Sequence, residues 1–485
     1  MARAATLTMG ALCMLGASLG CARDPLPPYG EAIFVVDTDL PVPRVVSRLR
    51  IDIYASDGTA LASRDDIRPD PRDWPVSFSV YADDDSRGTV LLVRLRAYPD
   101  GRQVPSRGPA TSAVPLEPDP GVTVDRVVRV TLEAGRRGRA SVVLRGACVG
   151  TEARLADPAT AASCTDGAEP LVTLASAVLE DDLGTAVPSV AGSYGSELCP
   201  AASGGSERIC VPGGAFVLGD AFYRPTGGTG QVESRPERVV RLTRFTIDRD
   251  EVTVARYRLA LAKGFQPPKP VGVTERDGPQ GGASDACAFS AAPRGRESHP
   301  LSCVSWVTAK AFCEHEGGTL PTEAQWEYAA LAATRARKTI FPWGDDPPTC
   351  AQAVWGRSIQ YAECGDRSEG PVAVDDASAD VNALGIRNLG GSLEEHTSDS
   401  SAGFRDSCWV AAPAVDPSCT IPPPPACVAD PEGLECRLGP NWRHTVRGGS
   451  WYSAAEELRG TIRSNDASAG SKTSLLGFRC VYSAQ

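Results

Sequence analysis

Lysine is scarce in this chain: only Lys263, Lys269, Lys310, Lys338 and Lys472 occur, and arginine supplies the rest of the positive charge. The net charge is −11, so nucleic acid is excluded as a partner, because phosphate binding needs clustered cations. Histidine is scarcer still, limited to His299, His315, His396 and His444, and none falls within residues 22–208. No two cysteines are spaced Cys-x-x-Cys, which removes zinc-ribbon and thioredoxin-like readings. After the N-terminal residues no apolar run reaches the ~20 residues that span a bilayer. Finally, no cysteine lies between Cys436 and Cys480.

What is present is enough for two or three domains: 485 residues, 42% hydrophobic and 22% charged, a globular composition. Residues 1–21 read as an export signal, with Arg3 ahead of an apolar stretch from Leu7 to Gly20. The stretch ends in Ser18-Leu19-Gly20-Cys21. A small residue before a cysteine resembles a bacterial lipobox, which makes Cys21 a lipidation site. Ala22 after Cys21 then points to the outer membrane of a Gram-negative envelope. Ordinary cleavage near the same point, giving a free periplasmic or secreted protein, is the competing reading. Setting aside Cys13 and Cys21 leaves an even 14 of the 16 cysteines, and in an oxidising compartment disulfides are their expected state. Cys148 with Cys164 and Cys350 with Cys364 are natural neighbours, but the full connectivity is open.

After a Pro-rich tether at residues 22–30, short runs alternate with period two: Ala32–Val36, Leu49–Tyr54, Val76–Val80, Val90–Ala97, Val127–Leu132 and Ala140–Leu144. Turn clusters such as Asp83-Asp84-Asp85 and Pro118-Asp119-Pro120-Gly121 separate them. That pattern predicts an all-β, sandwich-like domain over residues 22–149. Residues 150–208, rich in Ala, Ser, Gly and Asp and carrying Cys164 and Cys199, read as a pinned linker. From residue 209 the texture changes. A helix is predicted from Val254 to Lys263, a second after Ser305 as N-cap up to Gly317, and a third after Thr322. Thr322 and Gln325 form a capping box there, and Trp326, Ala330 and Ala333 share one face. Residues 400–445, with Cys408, Cys419, Cys427, Cys436 and the run Pro422–Pro425, look like a disulfide-tied insertion.

In this order, PGGAFVLGD (from Pro212), IDRDEVTVARY (from Ile247), HPLSCVSWVTAKAFC (from His299) and GGTLPTEAQWEYAA (from Gly317) resemble the sulfatase-modifying-factor family. So do FPWGDD, NALGIRNLGGSLEEHTSD, VRGGSWYSAAEELRGTIRSND and the closing GFRCV. The resemblance implies an α+β, C-type-lectin-like fold over residues 209–485. Members that generate formylglycine oxidise a substrate cysteine with oxygen, using two cysteines just after the Gly-Gly-Ser motif to hold copper(I). Soft thiolates suit that ion. Here Gly448-Gly449-Ser450-Trp451 continues as Tyr452, Ser453, Ala454, Ala455, Glu456, Glu457 and Leu458. Another branch holds iron through an H-x-x-x-H-x-E motif, and none of the four histidines has that spacing. Neither copper nor iron is therefore expected.

The resemblance further implies a Cys313–Cys480 disulfide. It also implies a calcium site built from the side chains of Asn388 and Glu395 with the carbonyls of Gly391 and Leu393, oxygen donors of the kind Ca2+ prefers. A plain acidic loop is the alternative there, and the family's other calcium site is lost because Ala353 replaces its Asn. Glu394-Glu395-His396 could be read as an acid/base cluster, but adjacent residues seldom address one substrate atom. Ser450, Trp451, Arg459 and Arg463 are the residues expected to line the family's groove. The resulting expectation is an envelope-anchored binding module for a peptide, glycan or protein ligand. Two alternatives stand beside it: a formylglycine-generating oxidase, and an enzyme of another class using the same groove.

Overall fold

The computed structural model describes residues 30–81, 88–105, 116–155, 157–167, 171–181, 186–200, 207–223, 231–273, 287–358, 362–365, 370–376, 380–429, 443–468 and 472–484. Residues 1–29, which include Cys21, the expected export signal and most of the expected tether, lie outside them.

The N-terminal part is a β-sandwich. One sheet holds strands β1 (Glu31–Thr38), β4 (Val76–Tyr81) and β9 (Arg137–Leu144), in the order β4-β1-β9. The other holds β2 (Arg48–Ala55), β3 (Ala60–Ile67), β5 (Thr89–Tyr98) and β8 (Val124–Leu132), in the order β3-β2-β5-β8. A hairpin of β6 (Gln103–Pro105) and β7 (Leu116–Pro118) leads into β8. Alternation decides the faces: Ala32, Phe34 and Val36 point in with Leu49, Ile51, Val93, Leu95, Val130 and Val142. Burying each larger side chain contributes about 2 kcal/mol. The six predicted strands are all present. β3 was not foreseen, because its residues ALASRDDI lie at an exposed sheet edge and show no apolar alternation.

The segment after Cys148 behaves as a strap. Ala177, Leu179 and Tyr194 pack on the sandwich core, Ala177 N–H donates to the Arg129 carbonyl at 2.8 Å, and Cys148–Cys164 and Cys199–Cys210 staple its ends.

The C-terminal part is α+β. It contains the sheet Arg208–Val211, Phe245–Asp248, Val481–Ser483 and the pair Gly214–Leu218 with Arg238–Leu242. A larger sheet joins Glu394–Ser400, Arg443–Arg447, Arg463–Ser468 and Leu476–Gly477. Helices α1 (Val254–Ala262), α2 (Trp306–His315) and α3 (Glu323–Leu331) pack against these. Both halves of the Thr322/Gln325 capping box form, at 3.1 and 3.0 Å. Ser305 occupies the N-cap of α2, but its hydroxyl bonds the Thr308 side chain at 3.2 Å instead of a helix N–H. Helix α3 is buried nearly all round, Glu323 and Glu327 included, which is wider than the predicted face.

The segment read as an insertion carries short helices α4 (Ser407–Ala411) and α5 (Pro425–Ala429) and the Cys408–Cys419 bond. Cys436 lies outside the described residues. The two parts share a core: Ala215, Val217 and Val239 join the sandwich cluster. Arg102 crosses to Glu237 at 2.7 Å and stacks on Phe222 at 4.1 Å. No helix among the described residues is long and apolar enough to cross a membrane.

Candidate functional site

The loop Asn388–Leu393 and the strand after it meet the Gly448–Ser453 turn. Gly448 has φ 78°, and a Cβ there would sit 2.8 Å from the Leu389 carbonyl oxygen. At Gly449 it would sit 2.6 Å from Leu458 and 2.7 Å from the Gly390 oxygen. The glycine pair is therefore a close-approach device. It allows Gly449 N–H to donate to the Gly390 carbonyl at 3.0 Å and Trp451 N–H to the Ser392 carbonyl at 2.8 Å.

Asn388 and Ser392 both adopt left-handed backbone, at φ 55° and 69°, and two buried carboxylates hold the coiled loop. Asp380 accepts from the N–H groups of Leu389, Gly390 and Gly391 at 3.0, 2.9 and 3.1 Å. Glu251 accepts from Leu393 N–H at 3.1 Å and from the Ser392 hydroxyl at 3.2 Å. Burial raises Asp380 to about 6. Burial and then the charge of Glu395 push Glu251 well above the usual carboxylate range.

Glu395, fully buried, accepts from Trp326 Nε1 at 2.8 Å and from Arg479 Nη2 at 2.6 Å, with Arg479 Nε at 2.8 and 2.9 Å from its two oxygens. The remaining guanidinium N–H groups reach the carbonyls of Asp248, Arg249 and Arg387 at 3.2, 3.0 and 2.7 Å. Glu395 thus holds the guanidinium directly, and the buried Glu251 and Asp380 feel its charge.

Asn388 donates through Nδ2 to Val374 at 3.2 Å, yet its Oδ1 is buried with no partner. An orphan hard oxygen beside two carboxyls whose charged forms burial disfavours fits a divalent cation of the calcium type, whose charge would favour those forms. In that arrangement Asn388 Oδ1 would be a ligand, with the carbonyls of Gly391 and Leu393. Glu395 would contribute from within its ion pair with Arg479. Among the described residues no group of three or more His, Cys, Asp or Glu is arranged to hold a metal, so such a site would depend on amide and carbonyl oxygens.

The expected groove residues are placed differently from expectation. Trp451 is wholly buried against Val354 and Leu393, with Nε1 donating to the Ser474 carbonyl at 3.2 Å. Ser450 is buried, and its N–H donates to Ser453 Oγ at 3.1 Å. Arg463 lies in the core. It binds Glu323 through Nε at 2.6 Å and Nη2 at 2.7 Å, and Phe404 lies under its plane at 4.0 Å. A neighbouring buried cluster pairs Glu327 with Arg447 and with Lys338, the latter at 2.6 Å. Buried charge needs such partners, which is why Arg463 turns inward. Arg459 alone stays partly exposed, bonded to Asp220 at 3.0 Å.

The Glu394-Glu395-His396 cluster also comes apart. His396 reaches the Val304 carbonyl with Nε2 at 3.1 Å, while Glu395 faces Trp326 and Arg479, because successive strand residues leave on opposite faces. Burial lowers His396 to about 4. Cys313 and Cys480 are bonded to each other, S–S 2.03 Å.

Glu251, Asp380 and Arg479 were absent from the sequence-derived site. The one available signal was their place in IDRDEVT, next to NALGIRN and within GFRC.

The family model described as "Sulfatase-modifying factor enzyme 1-like domain" matches residues 197–484. A formylglycine-generating enzyme of Streptomyces coelicolor is 29% identical over 341 residues, covering 61% of this chain and 95% of its own. A hercynine oxygenase of Mycolicibacterium smegmatis is 31% identical over 238 residues, covering 44% of this chain and 49% of its own. A mouse protein named inactive C-alpha-formylglycine-generating enzyme 2 is 28% identical over 190 residues, covering 38% and 49%. With the matched segment spanning more than half of its length, the chain belongs to the sulfatase-modifying-factor family.

Proposed function

We propose that this protein is an exported, envelope-anchored member of the family that has kept the scaffold as a binding module and given up the oxidase chemistry. The observation that carries the reading is the content of the Gly448–Leu458 segment. A copper(I) oxidase needs two thiolates there, and the segment holds Ser450, Ser453 and no cysteine. The Ser453 hydroxyl is already spent on the Ser450 N–H. The one later cysteine, Cys480, is bonded to Cys313, and a disulfide sulfur is not a copper(I) ligand. Family membership does not oppose this, since one relative is itself named inactive.

The retained site is the scaffold loop at Asn388–Glu395, for which calcium is the proposed ion, and the ligand is a peptide, glycan or protein. Anchoring is proposed through a lipidated Cys21. The competing reading, a formylglycine-generating oxidase, follows from the relatives' names. Incubating the copper-loaded protein with a sulfatase-motif peptide under oxygen, then weighing the peptide, separates the two. Unchanged peptide mass is expected; formylglycine above a metal-only control would overturn the proposal.

A further inference from the structure

The outward face of the four-stranded sheet is unusual. On an ordinary solvated sheet face, charges stand in water. Here Asp52, Arg96 and Asp125 are only 4, 5 and 3% exposed. Register explains how they meet: Arg50 lies opposite Arg96, and Arg96 opposite Asp125, while Asp52 lies opposite both Ser63 and Arg94. Arg94 grips Asp125 at 2.9 and 2.5 Å. Arg96 spans Asp52 and Glu117, both at 2.5 Å. Arg50 adds bonds to Asp52 and Glu117 at 3.1 Å each, and the Ser63 hydroxyl donates to Asp52 at 2.6 Å. Three guanidiniums are thus matched by three carboxylates.

Two cavities open on this network, of about 310 and 340 Å3, and half-buried Tyr54 lines both. The smaller also takes in Thr123 and Thr151. Burying ion pairs seldom stabilises a fold by itself, whereas holding donors and acceptors rigidly around a cavity is what recognition requires.

We propose that this face binds a neutral, hydroxyl-rich ligand, an oligosaccharide, with Tyr54 as its stacking surface. The ion pairs compensate one another and Glu152 adds a negative charge to the lining, so an anionic ligand would be repelled. Hydroxyl groups, which both donate and accept, can bond carboxylate and guanidinium edges together. This site is separate from the C-terminal loop and does not depend on the function proposed for it.

The test is calorimetric titration of the full chain with maltotetraose, cellotetraose, mannotetraose and triacetylchitotriose, with inorganic phosphate as the charged probe. At least one oligosaccharide is expected to bind, and Tyr54→Ala should weaken it about tenfold, the factor a lost ring contact carries. Should Tyr54→Ala fail to fold, Thr151→Val at the cavity wall replaces it, and protection of residues 50–54 from hydrogen exchange by the sugar is measured on the unaltered chain. No heat from any of the four sugars, binding indifferent to the variants, or phosphate binding in their place would overturn the assignment.

Discussion

Replacing Cys313 and Cys480 together by alanine tests the staple of the C-terminal part. The bond closes a loop with a sequence separation of 167 residues. On the chain-entropy relation, a loop of that length removes about 5 kcal/mol of unfolded-state entropy at room temperature. Cys350–Cys364 and Cys408–Cys419 lie within it and shorten the free path by 14 and 11 residues, but the dependence is logarithmic, so the figure moves by only a few tenths of a kcal/mol. Both sulfurs are fully buried in the cluster of Tyr257, Phe312, Leu320 and Phe478, so lost packing adds to the entropy loss. For a domain of this size each kcal/mol shifts the melting temperature by about 2–4 °C. The C-terminal transition in calorimetry should therefore fall by roughly 10–20 °C. A fall of less than about 3 °C would refute the reasoning, since it would account for under about a third of the constraint.

Calcium should raise the melting temperature, chelator should lower it, and Asn388→Ala should erase the difference; at a hundredfold excess over Kd the effect is about 2.7 kcal/mol, and identical melting curves with and without chelator would count against the ion. The buried histidines set a pH limit: desolvation lowers His396 to about 4 and His444 to about 3 from 6.5, so the unfolded chain takes up their protons first. Their contribution is complete above pH 6.5 and is lost as pH falls towards 4, at up to about 1.4 kcal/mol per unit for each histidine. The raised carboxyls of Asp380 and Asp399, at about 6 and about 7, act in the opposite sense, losing their contribution as pH rises through those values. His444→Phe, which keeps a ring stacked on Trp306 where His444 now lies at 3.6 Å, should flatten the acid limb of the stability profile; an unchanged limb would contradict this assignment. Cys21→Ser should move the protein from membrane to soluble fractions, and unchanged fractionation would exclude the lipid anchor.

Much of the architecture was legible in local chemistry. Period-two alternation marked six strands of the sandwich, because one face of each had to be apolar. Thr322 and Gln325 marked the start of α3, because a capping box is a local contract between neighbouring residues. The Gly-Gly-Ser-Trp segment was recognisable, and its structure supplies the reason for both glycines. Edge strand β3 was invisible, because an exposed polar strand carries no core pattern.

The site residues divide along the same line. Asn388 and Glu395 could be named from a spacing within one loop. Their environment is assembled from Glu251, Asp380 and Arg479; Glu251 reaches Ser392 of the loop across 141 positions and Arg479 reaches Glu395 across 84, and no local pattern announces such a meeting. Arg459 and Arg463 are alike in sequence, four residues apart on one segment. Yet Arg463 is buried on Glu323 while Arg459 reaches the rim at Asp220. Composition settles that an arginine is charged, and the absence of cysteine from Gly448–Leu458 can be read directly from the chain. Which charge is buried, and with what partner, depends on desolvation and on elements brought together by packing. Only the tertiary structure decided that.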